Sequence, residues 1–167
     1  MSQKHFDALI EQFGAAIGIA DLPQDGDSCR LRFDDQVTVH IQYEPTDGWV
    51  EISADVAVVP EEKKAEFYEK LLSANLFWLG TEGCTLAVES VSGIVVLQTR
   101  ERVTDLQFAT FSSVVEQFVN TATRWQTALS GDVTPEKVDA AQDLAPDAIR
   151  EAEPSTEALT PGTAIRV

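Results

Sequence analysis

The chain has 167 residues, 44% of them apolar, with three Trp and eight Phe, enough core material for one folded domain and an extension but not for two domains. Its formal net charge of −16 argues against nucleic acid or anionic membrane as partners, because binding either depends on clustered Lys and Arg. Two cysteines without CxxC spacing exclude a disulfide framework or zinc site within one chain, and no apolar run reaches the length of a membrane span or follows a cationic leader, which points to the cytoplasm.

Phe6, Leu9, Ile10, Phe13 and Ile17 recur three and four apart and predict a first helix over about residues 3–17, ended by Gly18 and Pro23. A polar, Asp-rich loop follows from Asp21 to Ser28. Alternation then takes over: Cys29, Leu31 and Phe33 face one way, Arg30 and Arg32 the other, as in a half-buried strand. Past a turn at Asp34 and Asp35, Val37, Val39, Ile41 and Tyr43 alternate with polar residues in a second strand. Residues 45–48 turn the chain again, and Val50, Ile52, Ala54, Val56 and Val58 read as one face of a third strand, completing an antiparallel meander.

Pro60, with Glu61 and Glu62 at the positive end, predicts a second helix that runs to about Phe77 and sets Glu66 four residues before Lys70. Gly80 and Gly83 break the chain before a hairpin of residues 85–89 and 94–99. Ile94, Val95, Val96 and Leu97 leave its second strand without a polar face, so both of its sides need cover. Thr104 and Gln107 predict a capping box, with Val103 stapled to Phe108, at the head of a last helix whose stripe runs through Phe111, Val115, Phe118, Ala122, Trp125 and Leu129.

The composition changes at Gly131: residues 131–167 hold four of the seven Pro, no aromatic residue, and eight acids against three cations. The expected architecture is α+β, an antiparallel twisted sheet of a three-stranded meander plus a hairpin with three helices, in the order α-βββ-α-ββ-α. It occupies residues 1–130 and carries an acidic, Pro-containing tail over 131–167.

Nothing along the chain assembles a reaction centre. His5 and His40 are far apart and lack neighbours at metal-ligand spacing, and Asp25, Asp27, Asp34 and Asp35 sit where turns favour Asp. No nucleophile elbow, phosphate loop or dinucleotide fingerprint occurs, and Cys84 has Glu82 two residues away, the wrong charge to activate a thiol. No catalytic residue, metal or cofactor is expected.

The run Leu71-Leu72-Ser73-Ala74-Asn75-Leu76-Phe77, the Gly-containing loop after it, the Leu86 to Leu97 hairpin, and Phe111, Phe118-Val119 and Trp125 resemble the class I type III secretion chaperones over about residues 4–130. Trp78 and Cys84 depart from that pattern, where the family prefers small residues, and the tail is longer than usual. The resemblance implies a non-catalytic bacterial cytoplasmic homodimer. It would bind the N-terminal segment of a secreted effector, keep it extended and secretion-competent, and hand it to the secretion ATPase or sorting components.

It further implies that Phe6, Leu9 and Phe13, with Leu31, Val37, Val39 and Ile41, belong to the region that receives effector side chains, although packing of the first helix on the sheet competes for the same residues. Leu72, Leu76, Phe77, Ile94 and Val96 resemble the dimer interface. Two other readings remain open: a non-catalytic regulatory or scaffold domain that binds a folded partner through its acidic tail, and a hydrolase using Cys84.

Overall fold

Strict alternation becomes one continuous sheet. The computed structural model describes residues 2–19, 22, 24–33 and 36–130, so Pro23, the Asp34–Asp35 turn and the acidic tail lie outside the described residues. In β2 (Ser28–Phe33), β3 (Val37–Glu44) and β4 (Trp49–Val58) successive residues alternate between the core and the opposite face. The hairpin of β5 (Thr85–Val88) and β6 (Ile94–Arg102) joins them through β6 against β4. A two-residue strand, β1 (Gln24–Asp25), pairs with the start of β2 inside the segment expected to be loop. All pairs are antiparallel, in the order β1-β2-β3-β4-β6-β5.

The core lies between this sheet and two helices, α1 (Ser2–Ile17) and α3 (Phe108–Leu129). Phe6 stacks on Tyr43 of β3 with ring centroids 5.5 Å apart, and Phe13 meets Phe111 of α3 edge-on at 5.6 Å. The expected stripe of α3 faces inward, with Phe111, Val115, Phe118, Ala122 and Trp125 buried. A third helix, α2 (Lys64–Asn75), packs beside β5.

Local chemistry shifts several expected boundaries. The register of β4 against β6 slips between Asp55 and Ala57, and this bulge reverses the faces: Val58 is 65% exposed, while Val59 is buried at 8%. Lys63 adopts a left-handed conformation (φ 60°), so α2 starts at Lys64 and not after Pro60. Lys70 donates to the Ala128 carbonyl at 3.3 Å, tying α2 to the end of α3, while Glu66 pairs with Lys63 at 3.8 Å. Gln107, not Thr104, precedes α3 and makes no side-chain cap; residues Val103–Asp105 form a 3-10 turn in which the Thr104 hydroxyl bonds Asp105.

The bulge can be checked directly. Val59→Ala should lower the urea unfolding free energy by about 2 kcal/mol through a lost core side chain, and Val58→Ala should change it by less than about 0.5 kcal/mol.

Candidate binding surfaces

Residue Gly18 shapes the first surface. It ends α1 in the left-handed region (φ 81°), with the Ile19 amide donating to the Gly14 carbonyl (2.8 Å) and the Gly18 amide to the Ala15 carbonyl (3.3 Å). This double closure suits glycine because no Cβ opposes the positive φ. The stop leaves Ile17 40% exposed at the mouth of a groove shared with Phe13, Phe33 at the end of β2, and Val115, Glu116, Val119 and Asn120 of α3. The groove encloses about 240 Å³. Small-molecule pockets run to roughly 300–1,000 Å³, so the space suits one or two apolar side chains of a peptide.

The same groove adjoins the end of β2. Partner strand β1 pairs with β2 at Ser28 and Cys29.

The residues expected to receive a client lie elsewhere. Phe6, Leu9, Phe13, Leu31, Val37, Val39 and Ile41 are each at most 5% exposed, claimed by packing of α1 and α3 on the sheet. A ligand could touch most of them only if α1 moved. Of that set Phe13 alone borders the groove, beside Ile17, Phe33 and Val119, which the expected client-facing set did not include.

The second surface is the turn between α2 and β5. The Asn75 amide donates to the Leu86 carbonyl (2.9 Å) while its carbonyl accepts from the Leu86 amide (2.8 Å), fastening the end of α2 to β5. Gly80 comes so close to Ala74 that an added Cβ would lie 2.9 Å from the Ala74 Cα, and its carbonyl accepts from the Trp125 indole at 3.1 Å. Buried Thr81 donates to the Cys84 carbonyl, and the Glu82 carboxylate accepts from Thr121 (2.6 Å) and Arg124 (2.7 Å) of α3.

This firmly held turn nevertheless presents apolar side chains to water. Leu72, Leu76, Phe77 and Trp78 are all more than half exposed. Phe77 (φ 52°) and Trp78 (φ 56°) are left-handed, a conformation that costs non-glycine residues about 1–3 kcal/mol each and persists only where surrounding contacts impose it. Trp78 and Val96 line a shallow cavity of about 590 Å³ on the sheet face opposite the core, together with Thr85, Gln98 and Arg100. Val95 and Leu97 enter the core, whereas Ile94 and Val96 are half-buried on that second face, Ile94 opposite the exposed Val58. Trp78 is the member of this surface that the expected set omitted.

The electrostatics favour binding over chemistry. Burial, reinforced by the Glu82 charge, pushes the Cys84 thiol up to about 11, so it stays protonated at neutral pH and the hydrolase reading loses its nucleophile. Burial, and then the Arg30 charge, lower the His40 pKa. Trp49 lies against two guanidinium groups, Arg100 at 4.5 Å and Arg102 at 4.1 Å from the ring centre.

Hydrogen bonds from Arg124 and Thr121 hold the Glu82 carboxyl below its ordinary value of 4.5. A depressed carboxylate stabilises the fold above the unfolded-state value, and that contribution disappears as pH falls through the lower folded-state value. Glu82→Gln should therefore flatten the acid limb of a urea-stability profile, the difference from the natural chain narrowing as pH falls from neutral through the carboxylate range.

A model of the Tir chaperone protein (CesT) family matches residues 8–126. No curated protein sequence matches the chain. Among solved structures it is similar to a chain of the ExsC–ExsE complex, at 23% identity and a TM-score of 0.66, covering 76% of this chain and 95% of that one. A chain of the HopA1–SchA chaperone–effector complex follows at 13% identity and a TM-score of 0.61, with 75% and 96% covered. A chain of the heterodimeric ExoU–SpcU complex from the type III secretion system of Pseudomonas aeruginosa gives 17% identity, a TM-score of 0.57, and 74% and 96% coverage. At such identities these likenesses establish the fold.

Proposed function

Because the chain belongs to the Tir chaperone protein (CesT) family, we propose that it is a type III secretion chaperone that holds the N-terminal segment of an effector extended, with apolar side chains in the groove at the end of β2. The observation that carries this reading is the apolar groove formed by Phe13, Ile17, Phe33, Val115 and Val119. A groove of this size receives one or two apolar side chains of an extended segment and makes little demand on the rest of its sequence. The ordering cost of the client offsets much of the contact energy, so the complex stays releasable. Binding alone accounts for this function, and no cofactor or bond-making step enters it.

The same reading makes the protein a homodimer of the bacterial cytoplasm. Leu72, Leu76, Phe77 and Trp78, with Val58, Ile94 and Val96 nearby on the sheet, form the exposed apolar area that a second copy would cover. No helix among the described residues is long and apolar enough to cross a membrane.

Phe33→Glu or Val119→Glu should weaken co-purification with an N-terminal effector fragment by about tenfold or more, while Val91→Glu on the 93% exposed hairpin turn should leave it unchanged. Equal loss in all three would sink the groove assignment. Leu72→Asp combined with Phe77→Asp should convert the dimer to monomer in light scattering. Deleting residues 131–167 separates the regulatory alternative, because client binding survives the deletion if the groove holds the client and fails if the tail does.

A further inference from the structure

One polar line on α3 grips the turn between α2 and β5. The Gln117 side-chain amide donates to the Glu82 carbonyl at 3.2 Å, and Thr121 and Arg124 donate to the Glu82 carboxylate at 2.6 and 2.7 Å. The Trp125 indole donates to the Gly80 carbonyl at 3.1 Å. Positions 117, 121, 124 and 125 fall on one side of a helix. Glu82 is itself left-handed (φ 52°), as is Gly83 after it (φ 90°). A non-glycine residue keeps that conformation where its surroundings impose it, and the α3 side chains on Glu82 supply the constraint.

The grip reaches Trp78 in one step. The amides of Thr81 and Gly83, on either side of Glu82, both donate to the Trp78 carbonyl, at 3.3 and 3.5 Å. Trp78 is thereby held from its carbonyl end, while the Asn75 clamp fixes the chain on the α2 side. Between these two restraints Phe77 and Trp78 are 64% and 57% exposed.

The clasp is suited to local order more than to global stability. The Arg124 and Glu82 side chains are 48% and 39% exposed, and ion pairs that open to water add little to the folding free energy. Its loss frees a short turn and leaves the core between sheet and helices in place.

We infer that Glu82 is a positioning residue for self-association: its clasp to Thr121 and Arg124 holds Phe77 and Trp78 in the presentation that a second copy packs against. The inference rests on the reading of the α2–β5 turn as the homodimer surface. Without the clasp the turn samples other conformations and must be re-ordered before two copies meet. Both copies have to present it, so a turn competent about one third of the time raises the dimer dissociation constant about tenfold.

Sedimentation equilibrium of the full chain tests this. Glu82→Ala should raise the dissociation constant about tenfold, Arg124→Gln should raise it in the same direction, and the two together should do no more than Glu82→Ala alone, because both act on one clasp. Val39→Ala removes part of a core side chain on β3, with β4 between it and the β5–β6 hairpin. It should lower urea stability more than Glu82→Ala does and leave the dissociation constant within about twofold of the natural value. Arg124→Gln carries the test if Glu82→Ala fails to fold. A dimer indifferent to both clasp variants, or weakened as much by Val39→Ala, would overturn the inference and leave the dimer reading standing. A natural chain that stays monomeric would remove both.

Discussion

The side-chain amide of Asn75 makes both of its hydrogen bonds to the backbone of one residue, Leu86, and much of the second binding surface depends on that clamp. Because donor and acceptor are satisfied by the same residue, the end of α2 is fixed in position and orientation against β5. The following residues must then return to the sheet in a short space, through the close approach of Gly80 to Ala74 and the anchors from Trp125 and Glu82 to either side. The left-handed Phe77 and Trp78 follow from this geometry: with both ends of the turn tied down, the backbone between them has few other routes.

The two surfaces differ in how they are protected from unwanted contact. Beside the groove, β2 is short and exposes Arg30 and Arg32, features that discourage sheet-to-sheet self-association. The α2–β5 turn has no such safeguard and exposes large apolar side chains over a firm backbone. A net charge of −16 spread over the whole chain provides general colloidal repulsion in its place, tolerating a local apolar patch while still permitting a contact of matched shape.

Most of the sheet and all three helices were legible in the sequence, α1 and α3 because each has one face against the core and its period shows, α2 from the Pro and acidic residues ahead of it. Even Cys29, a small side chain at the start of β2, is placed inward with Leu31 by period two alone. What periodicity could not reveal was anything decided by a single backbone conformation: the bulge that exposes Val58, the left-handed Lys63 that delays α2, and the 3-10 turn that displaces the expected capping box. The burial of the residues expected to face the client has a related reason. Alternation separates inside from outside but cannot tell a fully covered position such as Val39 from one at the rim such as Phe33, since coverage depends on where α1 stops. The motif around Asn75 located the second surface better, because its residues are needed for tertiary clamps as well as for burial.

The left-handed pair in the α2–β5 turn has a consequence for how this molecule can change over time. Glycine at Phe77 or Trp78 would relieve backbone strain but would also remove apolar area at the surface most suited to self-association. Under the proposed pairing of copies, thermodynamic robustness and cohesion pull this short segment in opposite directions. Substitutions that harden the isolated chain there would then be selected against, and the strain would persist.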